Sequence, residues 1–279
     1  MSQIAKKTLC TSLALLITSF SQATDPVAYR HMPNTSFGPG ESLTYRVHYG
    51  WLDAGVATLK VDNQLHTVNG RSCYKIDVKG KARGLLNLFL KMKNHFGSYI
   101  DTQALVSQGF YRYVQEGSYR KNERVHFDHA HKLAIVEQLD EHTRELRDTV
   151  THGVTDHIQD IVSSWYTLRA LDLGQIEVGD VLSIPVFFDD ILYKAFQIRF
   201  LGRQRVKIQG HVFDSLVFEP IIPFASAGNS IFASEHAITL FLSDDANKIP
   251  VKIKCQLLVG AVEVDLVKYK GLIHKLAAR

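Results

Sequence analysis

Apolar and polar residues alternate with a period of two through most of the chain. Leu43, Tyr45, Val47 and Tyr49 interleave with Ser42, Thr44, Arg46 and His48, the pattern of a strand with one buried and one wet face. Ala57, Leu59 and Val61 alternate with Thr58 and Lys60. Asn69-Gly70 follows, and both residues tolerate positive φ, so the spacing predicts a hairpin returning through Tyr74, Ile76 and Val78. Val125 and Phe127 answer Leu133 and Ile135 across Asp128-His129-Ala130-His131. Phe196, Ile198 and Phe200 form another alternating run. Ile238, Leu240 and Leu242 lead through a polar turn at 243–248 into Val251, Ile253, Cys255 and Leu257. Val262, Val264 and Leu266 form the last clear strand. Many short strands with closely spaced turns predict antiparallel sheet, as a barrel or sandwich.

Two segments break this period. Ile158, Ile161, Val162, Trp165, Leu168 and Leu171 recur at helical spacing, which predicts a main helix over 156–172. Thr155 or Asp156 could cap its start, and Gly174 could end it. Leu85, Leu88, Phe89 and Met92 suggest a second short helix over 84–93, flanked by Lys81, Arg83, Lys91 and Lys93. An apolar face with basic flanks suits either the cover of a barrel end or an anionic membrane surface. The expected fold is mainly antiparallel β, a curved sheet or incomplete barrel wrapped on the main helix.

The first residues carry a different signal. Lys6 and Lys7 precede an apolar run from Leu9 to Phe20, and Ser21-Gln22-Ala23 offers a small-x-small exit. This order is that of a cleavable export signal over 1–23, and it predicts a periplasmic protein starting near Thr24. The run is too short to cross a bilayer, and no later stretch reads as a transmembrane span. Residues 24–40, with Pro26, Pro33 and Pro39, read as an irregular arm. Residues 41–270 read as one β-rich unit and 271–279 as a tail. Residues 222–230 read as a flexible loop.

The chain has 279 residues with 46% hydrophobic and 22% charged, ordinary values for a globular protein. The formal charge is +4, and two of its lysines belong to the leader. No dense basic tract exists, so nucleic acid is not an expected partner. Outside the leader only Cys73 and Cys255 remain. An oxidising compartment would permit a disulfide, yet alternation puts Cys73 on a wet face with Lys75 and Asp77 and Cys255 on an apolar one. Either state is open at this point.

Candidate chemistry is sparse. His126, His129 and His131 are the densest set of potential metal ligands, but they fall on an expected hairpin tip where histidines are simply solvated. Asp189-Asp190 and Asp244-Asp245 are adjacent pairs whose members point to opposite faces of a strand, which suits turns better than acid catalysis. Ser163 and Ser164 lie near His157 without a nucleophile elbow, and no phosphate-binding glycine loop or cofactor fingerprint appears.

Three separated stretches carry a resemblance. Gly40-Glu41-Ser42-Leu43-Thr44-Tyr45 is followed soon by Ala54-Gly55. Asp160-Ile161-Val162-Ser163-Ser164-Trp165-Tyr166-Thr167-Leu168-Arg169 precedes Val178-Gly179-Asp180. Leu242-Ser243-Asp244-Asp245-Ala246-Asn247-Lys248-Ile249-Pro250-Val251-Lys252 closes the set. Together they resemble the bacterial exported family called domain of unknown function 3108. The resemblance implies a secreted, mostly antiparallel β protein and supplies no reaction, cofactor or catalytic residue. By fold analogy it suggests a curved sheet around a helix, similar to periplasmic lipoprotein carriers.

The leading expectation is a non-enzymatic envelope protein that holds a lipid or other apolar ligand inside its sheet. Tyr45, Tyr49, Trp165, Phe196 and Phe200 are the candidate lining residues, because they share the apolar faces of the best alternating strands or of the helix. An envelope scaffold that binds a protein partner is the alternative, and an uncharacterised hydrolase a third.

Overall fold

A computed structural model describes residues 29–84, 91–221 and 236–278. The first half of the chain folds as a meander of eight strands: β1 (Ser42–Tyr49), β2 (Leu52–Val68), β3 (Arg71–Ala82), β4 (Lys93–Asp101), β5 (Ser107–Glu116), β6 (Tyr119–Asp128), β7 (Leu133–Leu139) and β8 (Leu146–Gly153). One helix follows, α1 (Ile161–Ala170). The second half adds β9 (Val181–Phe188), β10 (Ile191–Ile208), β11 (His211–Pro220), β12 (Ile238–Ser243), β13 (Pro250–Gln256) and β14 (Ala261–Lys270). Every neighbouring pair is antiparallel.

The topology explains the helix. The sheet has 14 strands in the order β8-β7-β6-β5-β4-β3-β2-β1-β14-β13-β12-β11-β10-β9. The two meanders join where β1 pairs with β14, which leaves β8 and β9 at opposite edges. The chain must travel from one edge to the other, and α1 lies on that crossing. The sheet curls around the helix but does not close into a barrel. Its edges are instead tied by side chains. The β9–β10 turn reaches β5, β6 and β8, where Asp189 takes Arg112 at 2.6 Å and Lys121 at 2.5 Å, and Asp190 meets His152 at 3.4 Å.

Local chemistry places the turns. Asn69 and Gly70 adopt φ of 51° and 71°, the hairpin their sequence predicts. Asp189 and Asp190 make the same two-residue turn at φ of 55° and 63°, so this acidic pair closes a hairpin as well as tying the sheet edges. Asp245 accepts amide hydrogens from Asn247 and Lys248 in the β12–β13 turn.

The helix is shorter than the 156–172 expected from periodicity. Neither Thr155 nor Asp156 caps it. His157 sits at φ 58°, which breaks a right-handed helix, and Gln159 pairs with Val186 of β9. Asp160 is the true cap. Its carboxylate accepts from the Val162 and Ser163 amides at 2.6 and 2.8 Å, and Ser163 Oγ accepts from the Asp160 amide at 2.8 Å. Ser163 is thus capping chemistry rather than a nucleophile. Asp160 also receives the Ser98 and Ser107 hydroxyls, both at 2.6 Å. Burial pushes its carboxyl up, against the pull of these four donors. At the other end Leu171 is extended and stops the helix before 172.

Of the second helix expected over 84–93, residues 85–90 lie outside the described residues. Its ends are not helical: Met92 bridges to Glu116 and Lys93 opens β4. The leader at 1–23 and the loop at 222–230 also lie outside. The N-terminal arm is irregular from 29 to 41, yet Phe37 is fully buried in the core. Cys73 and Cys255 are separate thiols. Their strands are four places apart in the sheet, about 19 Å at ordinary strand spacing, far beyond disulfide reach. Cys73 is buried despite its place among polar neighbours, and burial pushes its thiol up to about 12.

A buried ion pair holds the ends of this architecture together. Arg169, on the last turn of α1, grips Glu41 through two hydrogen bonds of 2.7 Å. Its remaining donors reach the carbonyls of Asn247 and Ser36, both at 3.1 Å. Burial opposes the Arg169 cation, but Glu41 outweighs it and holds the guanidinium above its ordinary range. Glu41, Arg169 and Asn247 come from the three separate stretches that carry the family resemblance, so those stretches meet in space.

Candidate apolar site

Beside this ion pair the concave face of the sheet is not filled. A cavity of about 360 Å³ lies between α1 and the middle strands. Its floor follows the strand register across six strands. Ile253 of β13 stands opposite Val264 of β14, which stands opposite Val47 of β1. Tyr45 stands opposite Ala57 of β2, and Leu59 opposite Val78 of β3, itself opposite Phe96 of β4. The helix supplies Ile161, Val162, Trp165 and Tyr166 as the roof, and Phe188 closes one side. No charged side chain lines it. Room is left where Ala57 places only a methyl group between Tyr45 of β1 and Gly80 of β3, which has no side chain.

A second cavity of about 190 Å³ lies on the far side of the helix, against the other meander. Val186, Tyr193, Phe196, Ile198, Ile238 and Leu240 contribute to it, and Ser164 and Leu168 face it from α1. Ile161, Trp165 and Phe188 line both cavities. These three side chains therefore form the partition between two apolar compartments. For scale, an apolar cavity of about 150 Å³ holds one benzene ring.

The candidate lining residues divide three to two. Tyr45 and Trp165 line the larger cavity, and Trp165 and Phe196 the smaller. Tyr49 and Phe200 line neither. Tyr49 follows a register shift between Val47 and His48 and ends β1 beyond the reach of α1. Its hydroxyl donates to the Val259 carbonyl at 2.9 Å, and its ring covers Gly260. Phe200 continues the face of Phe196 and Ile198, but its ring packs on Phe218 at 5.1 Å and is fully buried. Phe96, Phe188 and Val264 belong to the lining without having been singled out by sequence. Phe188 and Val264 were hidden because pairing across strands, not spacing along one strand, brings them to α1.

The Tyr45 hydroxyl donates to the Pro250 carbonyl at 2.9 Å. Burial pushes both Tyr45 and Tyr166 up, and Glu41 adds to this. Both phenols therefore stay neutral, and the site offers dispersion contact and aromatic faces rather than charge.

The histidines do not converge. His126 faces Glu137 at 3.5 Å, His129 contacts the Ser107 carbonyl at 2.8 Å, and His131 pairs with Asp128 at 2.7 Å. Burial pulls the His129 imidazole down. Among the described residues one cluster brings metal-type ligands together, His48, Glu263 and Asp265, with burial from full to partial. Lys252 already occupies it, at 2.6 Å from Glu263 and 3.1 Å from Asp265. An ammonium in that place neutralises the carboxylates and repels a cation.

Comparison with known proteins agrees with this picture of a fold without assigned chemistry. No curated protein matches the chain. A crystal structure of a β-barrel-like protein of domain of unknown function DUF1849 from Brucella abortus is similar in fold, with a TM-score of 0.51 at 10% identity, over 87% of this chain and 99% of that one. A Bacteroides fragilis protein described as exported matches with a TM-score of 0.30 at 10% identity, over 87% of this chain and 100% of that one. The model of the family described as "Protein of unknown function (DUF3108)" matches residues 44–267, most of the length of the chain. The sheet, the helix and the linking residues just described are thus those of a DUF3108 protein, and the chain belongs to that family.

Proposed function

We propose that this protein binds an apolar, lipid-type ligand between α1 and the concave face of its sheet, as a non-enzymatic component of the bacterial envelope. The observation that carries this reading is the larger cavity of about 360 Å³ with no charged lining. Protein interiors normally pack to crystal-like density, and ligand sites are typically concave, apolar and a few hundred Å³ in volume. A half-open apolar hollow of this size under an aromatic roof supports the reading of a ligand site. Export rests on the leader at 1–23, with its charged start, apolar run and small-residue exit.

The test is binding of an apolar fluorescent probe. It should bind saturably to the folded protein, and a delipidated sample should bind more than a fresh one. Probe that binds only after unfolding, or in proportion to concentration without saturation, would overturn the reading.

A further inference from the structure

One rim of the sheet gathers three hairpin tips with exposed apolar groups. Trp51, in the β1–β2 turn, is 85% exposed, while Leu258 and Val259, in the β13–β14 turn, are 75% and 77% exposed. The two turns are neighbours. Tyr49 reaches from the first to the Val259 carbonyl, and its ring lies where a side chain on residue 260 would have to go, so Gly260 permits the contact. Tyr119 stands exposed at the β5–β6 tip on the same rim, since Glu116 at the end of β5 bridges to Met92 just before β4. Between these tips lie the paired ends of β3 and β4. There Lys81 stands directly opposite Lys93, an arrangement that costs stability in a sheet. Arg83 donates its backbone amide to the Ala54 carbonyl, two positions from Val56, which pairs with Lys81 across β2 and β3.

Lys81, Arg83, Lys91 and Lys93 are all exposed, and none has a carboxylate partner among the described residues. The carboxylates nearest by register are engaged elsewhere. Asp53 pairs with Arg46, and Asn94 donates to Glu116 at 2.6 Å. Exposed tryptophan, tyrosine and aliphatic tips beside unpaired cations match the chemistry of a membrane interface, where aromatic rings sit at headgroup depth and cations meet anionic lipid. The apolar groups sit on separate narrow tips rather than on one flat patch, which suits insertion into a fluid surface better than a rigid protein partner.

We infer that this rim docks the protein on an anionic bilayer, with Trp51, Leu258 and Val259 entering the headgroup layer and Lys81, Arg83, Lys91 and Lys93 meeting anionic lipid. The inference goes beyond ligand binding and is read separately from it: the cavity is tested with a soluble probe and no vesicles, the rim with vesicles and no probe.

The experiment uses protein purified from the envelope fraction and vesicles of phosphatidylglycerol with phosphatidylethanolamine, against phosphatidylcholine alone. With Trp165→Phe, Trp51 is the remaining tryptophan, and its emission should shift to the blue on the anionic vesicles. Joint Trp51→Ser, Leu258→Ser and Val259→Ser changes should weaken vesicle affinity more than about tenfold. Joint Lys81→Gln, Arg83→Gln, Lys91→Gln and Lys93→Gln changes should remove the preference for phosphatidylglycerol and its sensitivity to salt. Far-ultraviolet circular dichroism confirms that each variant is folded. An unshifted Trp51 emission, or vesicle binding that survives the triple change, overturns the inference. So does a dimer that the triple change converts to monomer without any vesicle binding, because the tips would then join two copies.

Discussion

Replacing Arg169 by Met should destabilise the fold by about 3–5 kcal/mol, because it leaves Glu41 charged and buried without its partner. Glu41 is fully buried and Arg169 nearly so. The guanidinium also serves the carbonyls of Ser36 and Asn247, so one change leaves three buried acceptors short of donors. For a chain of this size the loss should lower the melting temperature by about 10 °C. Equilibrium unfolding in urea reads it directly. The double variant Glu41→Leu with Arg169→Met should recover part of the loss, since removing both charges also removes their desolvation cost. It should not recover all of it, because the two carbonyls still lack donors. A loss below about 1 kcal/mol in the single variant would mean that water reaches Glu41 and that the buried pair does not hold the arm, helix and β12–β13 turn together.

The second large effect concerns binding. Ala57→Trp should abolish probe binding while the protein remains folded. Ala57 stands opposite Tyr45 on the cavity floor, and an indole there fills the space the ligand would take. Overpacking a filled core costs about 1–3 kcal/mol, but here the void receives the added ring, so the unfolding midpoint should move little. Val264→Phe intrudes from another strand with a smaller group and should weaken binding in the same direction. Thr58→Trp points to the other face of β2 and should leave binding unchanged. Equal binding by the Ala57 and Thr58 variants would place the ligand elsewhere.

These two expectations differ in how visible they were along the chain. The strands were plain, because period-two alternation and turn residues such as Asn69-Gly70 are local signals. The helix was plain in its middle, where Ile161, Trp165 and Leu168 recur, and obscure at its start. Thr155, Asp156 and Asp160 all have capping side chains, and only the left-handed turn at His157 selects Asp160. The Arg169–Glu41 pair spans 128 positions, and no local pattern announces such a partnership. In the sequence Arg169 stands out only as the end of a stretch that carries the family resemblance.

The cavity shows the same limit. Tyr45, Trp165 and Phe196 could be found because they lie on regular apolar faces. Tyr49 lies on the same nominal face, but a register shift and the end of β1 carry it past the helix. Phe200 lies further along the face of Phe196, two positions beyond Ile198, where Phe218 fills the space. Whether a face is filled depends on which residues the register brings opposite each other, such as small Ala57 beneath α1. That information exists only once fourteen strands are ordered. The order itself follows from a single long-range pairing, β1 with β14, which no hairpin signal encodes.

Native mass spectrometry of protein purified from the envelope, without detergent or added lipid, tests the central claim most directly. The account predicts a population heavier than the polypeptide by the mass of an apolar molecule. Organic extraction should remove that excess, and Ala57→Trp should lack it. Polypeptide mass alone in every preparation, from protein that also fails to bind the apolar probe, would contradict the account and leave the space beneath α1 without a ligand.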